Sequence, residues 1–221
     1  MWIPNLNLIF IHIPKNAGTS MEHALLKIGM PERYIIDGVI SDAIRKNELL
    51  WTMIMYCIVH DIDNYRYFAP YIRDYHQIYT DFGEIINKSS KKPCIMTIIR
   101  HPRQRAISLY KFTHSYKFMS FSYFIEKILL TNKIPELSNT QYSMLCDYNG
   151  NLDNDIVILR HENLDSDWET FCQKNNIPFV RLGRENTSVS ISIVADFAFL
   201  EPSIIERFDA HYAIDYQSFY P

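Results

Sequence analysis

Residues 9–26 read IFIHIPKNAGTSMEHALL, and their reading decides the fold. Residues 8–13 are a run of β-formers, and 14–20 (PKNAGTS) are a tight polar loop. Beyond the loop, Met21, Ala24, Leu25 and Ile28 recur at i, i+3, i+4 and i+7, the spacing of one buried helix face. The stretch is therefore expected to run strand, loop, helix. Such a junction collects backbone N–H groups at a helix N-terminus, where they and the helix dipole favour an anion. Lys15 adds a mobile positive charge there, and Thr19 and Ser20 add hydroxyl donors.

Working outward, three more short apolar runs read as buried strands: 53–59 (MIMYCIV), 94–99 (CIMTII) and 156–159 (IVIL). Helices are expected after Arg100-His101-Pro102, over 118–131, 137–148 and 165–175, and over 202–212 at the end of the chain. The tyrosine-rich stretch 64–82 reads as loop with some helix, and 176–200 as irregular. Apolar strands alternating with helices predict an α/β fold, a single domain over 1–221 with a central parallel sheet and helices on both faces. Ligands of such sheets sit at the carboxyl ends of the strands, which is where Lys15, His60 and Arg100 fall.

Composition narrows the class. With 221 residues, 48% apolar and 21% charged, the chain is long enough for a sizeable core and shows no disorder signature. A net charge of −3 argues against broad attraction to nucleic acid or to an anionic membrane, so any phosphate recognition must be local. No apolar run is long enough to span a bilayer and no signal peptide is legible. A soluble cytoplasmic protein is expected, although a domain cut from a longer anchored protein would read the same way. Cys57, Cys94, Cys146 and Cys172 are widely spaced, without a CxxC pair or histidines at ligand spacing, so isolated thiols and no metal are expected.

The main competitor for the first loop is the ATP-type P-loop, GxxxxGK[ST]. Here the lysine precedes the glycine, and no strand ends in an obvious magnesium-binding aspartate. A kinase or nucleoside triphosphatase stays as the alternative class.

HIPKNAGTS (12–20) and RHPRQRAISLY (100–110) together resemble the PAPS-dependent sulfotransferases, particularly their carbohydrate branch. The similarity extends to the segment 139–150 and to the tail, and is absent between about 33 and 52. In that family PKxAGTS holds the 5′-phosphosulfate of 3′-phosphoadenosine 5′-phosphosulfate (PAPS), and RDPxxRxxSxY holds its 3′-phosphate. The resemblance thus implies a 5′ site at Lys15, Asn16, Ala17, Gly18, Thr19 and Ser20 and a 3′ site at Arg100 and Ser108. It implies transfer of a sulfuryl group to an acceptor hydroxyl on a carbohydrate, without metal. Two positions depart from the family pattern: His101 replaces an aspartate and Asn16 a threonine.

Transfer of this kind needs positioning and stabilisation of charge on a leaving oxygen, work suited to Lys15 and the loop donors. Removal of the acceptor's proton suits a neutral imidazole. His60 is the expected base, with Asp61 or Asp63 to orient it. The blander reading of His60 is a hydrogen-bonded structural histidine, and that of His12 a packed residue. His161 and the remaining histidines carry no signal. Arg105 is assigned to structure, and Arg184 and Asn186 are further nucleotide contacts to consider. A PAPS-binding module without catalysis has the same motifs.

Overall fold

The computed structural model describes residues 1–29, 55, 78–183 and 195–221. In chain order the strands are β1 (Trp2–Ile3), β2 (Leu8–Ile11), β3 (Cys94–Ile99) and β4 (Val157–Arg160). The helices are α1 (Gly18–Gly29), α2 (Gly83–Lys88), α3 (Pro102–Phe112), α4 (Phe121–Phe124), α5 (Pro135–Ser138), α6 (Gln141–Leu145), α7 (Leu164–Asn175), α8 (Pro202–His211) and α9 (Ala213–Phe219). The described residues form two compact units interleaved along the chain: 1–29, 78–100 and 143–183 in one, and Met55, 101–142 and 195–221 in the other.

The first unit holds the sheet, in the order β1-β2-β3-β4. β2, β3 and β4 are parallel, with Phe10 opposite Met96 and Met96 opposite Val157, while β1 adds an antiparallel edge with Ile3 opposite Leu8. Parallel strands have both rows of side chains covered, and β2 is buried at every position. One row, Leu8, Phe10, Met96, Ile98 and Leu159, packs with Met21, Ala24 and Leu25 of α1 and with Trp168, Phe171 and Cys172 of α7. The helical spacing of α1 and α7 thus meets the two-residue period of the strands. Thr97, within the other row, is fully buried and donates its hydroxyl to the Ile11 carbonyl at 2.9 Å, which lets a polar residue sit mid-strand without an orphaned group.

The second unit is helical. Ala106, Leu109 and Tyr110 of α3 share a core with Phe124, the π-helical turn Ile125–Leu129, Leu137, Phe197, Ile204, Phe208 and Tyr212. A polar network lies beside this core. Asp215 of α9, fully buried, accepts the Gln141 N–H at 2.9 Å and the Tyr142 N–H at 2.8 Å. It thereby caps α6 from a position 74 residues away. Burial pushes the Asp215 carboxyl above its ordinary range, opposed by those two N–H groups and by Arg105. Arg105 is 2% exposed and donates from Nη1 to the Asn139 carbonyl at 3.0 Å. Asp215→Asn keeps one acceptor oxygen and turns the other position into a donor facing an N–H. The expected loss is about 1–3 kcal/mol of stability, read as a lower urea midpoint at unchanged slope. An unchanged midpoint would mean that α6 is held by packing alone.

Several sequence expectations meet corrections. Of 53–59, only Met55 is among the described residues. It is helical and fully buried in the second unit's core, so the strand reading fails at that position. A short apolar run does not distinguish a strand from a buried helical segment. The single helix expected over 137–148 is two, α5 and α6, because the chain extends at Asn139 (φ −54°, ψ 143°) and Asp215 starts the second. The helix expected from 118 starts at Phe121, where the Ser120 hydroxyl accepts the Tyr123 N–H at 3.2 Å as an N-cap. No helix among the described residues is long and apolar enough to cross a membrane.

Candidate functional site

Between β2 and α1 the backbone turns through two left-handed residues, Lys15 (φ 69°) and Ala17 (φ 65°), on either side of Asn16. Neither is a glycine, and each costs roughly 1–3 kcal/mol unless its surroundings impose the conformation. Two contacts impose it. Asn16, 1% exposed, donates Nδ2 to the Ile98 carbonyl of β3 at 2.7 Å, and Arg100, just past β3, donates Nη1 to the Lys15 carbonyl at 3.1 Å. The loop is thus tied to the carboxyl end of the neighbouring strand at two successive residues.

An alternation of left-handed residues turns successive N–H groups to one side, the arrangement that makes an anion-binding concavity. The first turn of α1 follows at once. Its first backbone hydrogen bond runs from the Met21 N–H to the Ala17 carbonyl at 3.2 Å, so the N–H groups of Gly18, Thr19 and Ser20 precede the helical ladder. Lys15 and Thr19 are half-buried, and Ser20 is buried. Together, these elements can hold an anion bearing several oxygens at the N-terminal end of the α1 dipole, with Lys15 beside it.

Beneath the loop, His12 and Glu22 are both buried and lie 2.7 Å apart, Nδ1 to Oε1. In the sequence His12 reads as a packed residue, with no partner announced. Glu22 lies one helical turn beyond Gly18, which was the available signal. His161, passed over in the sequence, follows β4 directly, and the pairing of Ile99 with Arg160 brings it level with Arg100 at the strands' carboxyl ends. Burial first, and Arg100 second, push its imidazole below the ordinary range, against Glu162.

In the second unit, α3 opens with His101 at its N-cap and Pro102 in its first turn, and Ser108 lies half-buried mid-helix. His101, where the family pattern has aspartate, meets the rings of Tyr216 and Tyr220 edge-on at 5.5 and 5.4 Å. Arg103 pairs with Asp209, its Nε 3.2 Å from Oδ1. His60, Arg184 and Asn186 lie outside the described residues, as do Asp61 and Asp63. Cys94, Cys146 and Cys172 are free thiols, and no group of three or more potential metal ligands occurs among the described residues.

A mixed sheet whose parallel strand β2 runs through a tethered, left-handed loop into α1 defines a P-loop-like α/β protein. The family model described as "Sulfotransferase family" matches residues 1–220, and the chain belongs to that family. It is a sulfotransferase, an enzyme of sulfuryl transfer, and the family implies PAPS as donor. No curated protein and no solved structure matches the chain.

Proposed function

We propose that this sulfotransferase takes its sulfuryl group from PAPS at residues 15–20 and delivers it to a hydroxyl of a carbohydrate. The observation that carries the reading is the pair of left-handed residues, Lys15 and Ala17, fastened to β3 at the head of α1. Strain maintained at that cost is accounted for by a ligand that needs the N–H groups it aims. The donor set fits a phosphosulfate: the N–H groups of residues 17–20, the hydroxyls of Thr19 and Ser20, and the Lys15 ammonium, with no carboxylate among them. Arg100 and Ser108 take the 3′-phosphate. The match over 1–220 spans both units, and we read them as one catalytic domain.

When bound, PAPS supplies an activated sulfuryl group whose leaving half is adenosine 3′,5′-bisphosphate. The protein's part is positional and electrostatic. Backbone N–H groups and the Thr19 and Ser20 hydroxyls donate to peripheral oxygens, and Lys15 neutralises charge growing on the leaving oxygen. His60 accepts the proton that the acceptor hydroxyl gives up as its oxygen bonds to sulfur. His60→Ala should therefore keep nucleotide affinity and lose roughly 10²–10⁴-fold in rate. Normal turnover in that variant moves the base elsewhere.

Transfer of label from PAPS across a panel of acceptors tests activity and acceptor class together. Labelled carbohydrate is the expected result. Label confined to tyrosine peptides, lipids or phenols overturns the carbohydrate assignment, and nucleotide binding without any transfer identifies a binding module. Arg100→Ala should weaken adenosine 3′,5′-bisphosphate about tenfold or more and adenosine 5′-phosphate less, because a charged contact to the 3′-phosphate is removed while the released tether to the Lys15 carbonyl acts on both nucleotides. Equal affinity of the unaltered protein for these two nucleotides would sink the 3′ site.

A further inference from the structure

The pair His12–Glu22 has no part in the transfer described above, yet it is buried beneath the loop. Leu8 and Phe10 of β2 face the α1 core, and His12 continues their alternation, its ring stacked 6.0 Å from that of Phe10. The interface between β2 and α1 is thus apolar until its carboxyl end, where an imidazole and a carboxylate close it. His12 is 6% exposed and Glu22 9%. Stability alone is a poor reason for such a pair, since well-packed apolar residues of similar volume are commonly as stable or more so.

Its position supplies a better reason. A Cβ placed on Gly18 would stand 2.1 Å from both Cδ2 and Nε2 of His12, so the ring lies directly against the first residue of α1. The 2.7 Å bond from Nδ1 to Glu22, four residues along α1, fixes the opposite side of the ring. One imidazole thus spans from the end of β2 to two successive turns of α1, on the face beneath the loop. We propose that His12 and Glu22 are positioning residues that set the height and direction of the Gly18, Thr19 and Ser20 N–H groups toward the 5′-phosphosulfate. This inference rests on the assignment of residues 15–20 as the 5′ site. Neither side chain is among the donors assigned to the nucleotide. Their effect passes through the backbone of the first turn, where a misplacement of about 1 Å is expected to cost on the order of 10²-fold.

Adenosine 3′,5′-bisphosphate and adenosine 3′-phosphate differ only in the 5′-phosphate, so the ratio of their affinities, measured by calorimetry, reads the loop alone. In the apolar double variant His12→Leu with Glu22→Met, that ratio should fall about 10–100-fold. Affinity for adenosine 3′-phosphate should be unchanged and the melting temperature equal or higher. Glu22→Gln, which keeps an oxygen to accept from Nδ1, should hold the ratio within about threefold, whereas Glu22→Met alone should not. A double variant that folds and keeps the full ratio overturns the proposal. If the double variant does not fold, the two single variants decide, and equal loss in Glu22→Gln and Glu22→Met overturns it too. Should the unaltered protein bind both nucleotides equally, the 5′ assignment itself falls and this inference falls with it.

Discussion

Lys15→Ala is expected to slow sulfuryl transfer by about 10²–10³-fold, the cost of removing one donor aimed at charge that appears only in the transition state. The loss should fall on kcat, because the ammonium has less to do before the leaving oxygen acquires charge. The loop should survive the substitution. Its tether at this residue is the bond from Arg100 to the Lys15 carbonyl, a backbone group that alanine retains. The φ of 69° strains alanine much as it strains lysine. Lys15→Gly therefore separates the two properties of the position: it should relieve strain, raising stability by up to about 1 kcal/mol, and be as slow as Lys15→Ala. Single-turnover transfer from labelled PAPS, with binding of adenosine 3′,5′-bisphosphate measured alongside, checks both. Wild-type rates in Lys15→Ala would place the neutralising charge on another residue.

Elements whose cause is local were legible in the sequence. β2, β3, β4 and α7 carry their own hydrophobic signal and lie within two residues of where it places them, whereas α1, whose apolar face was read from Met21, begins at Gly18, three residues inside the stretch read as loop. Elements with distant causes were not. β1 is two residues long and exists because its backbone pairs with β2. The restart of the chain at α6 depends on a carboxylate in α9, and nothing near Gln141 in the sequence announces it. The helical Met55 lies in an apolar run whose composition suits either state.

The candidate site divides along the same line. Residues 14–20 and 100–108 are contiguous, so their chemistry can be read directly as a lysine, hydroxyls and a guanidinium after apolar strands. What the side chains do to one another across the sheet is a matter of register. Asn16, where threonine is usual in the family pattern, turns its amide inward to the Ile98 carbonyl, while its backbone N–H donates to the Ile13 carbonyl. Arg100 spends one donor on the Lys15 carbonyl and couples the two motifs before any ligand arrives. His161 comes beside Arg100 only through the pairing of β3 with β4.

Gly18→Ala carries the largest expected structural penalty at the site, although the residue opens a helix, where alanine ordinarily improves on glycine by roughly 1 kcal/mol. The space decides the sign. The new methyl would lie 2.1 Å from two atoms of the His12 ring, far inside van der Waals contact. The ring has little room to retreat, since Phe10 stacks against it and Glu22 holds Nδ1. Either the ring gives up its bond to Glu22 or the first turn of α1 lifts away from β2. Overpacking of this kind costs about 1–3 kcal/mol, and a lifted turn also moves the N–H groups of residues 18–20. Gly18→Ala should thus lower the melting temperature and at the same time lose about tenfold or more of the 5′-phosphate's contribution to nucleotide affinity. Adding His12→Ala vacates the space the methyl needs. In the double variant part of the lost stability should return, while the 5′-phosphate contribution should not, because the imidazole that orients the turn has gone. The two substitutions would then couple in stability, as contacting residues do. Additive losses in stability would mean that the ring does not stand against Gly18, and a full return of phosphate affinity would mean that the ring only fills space.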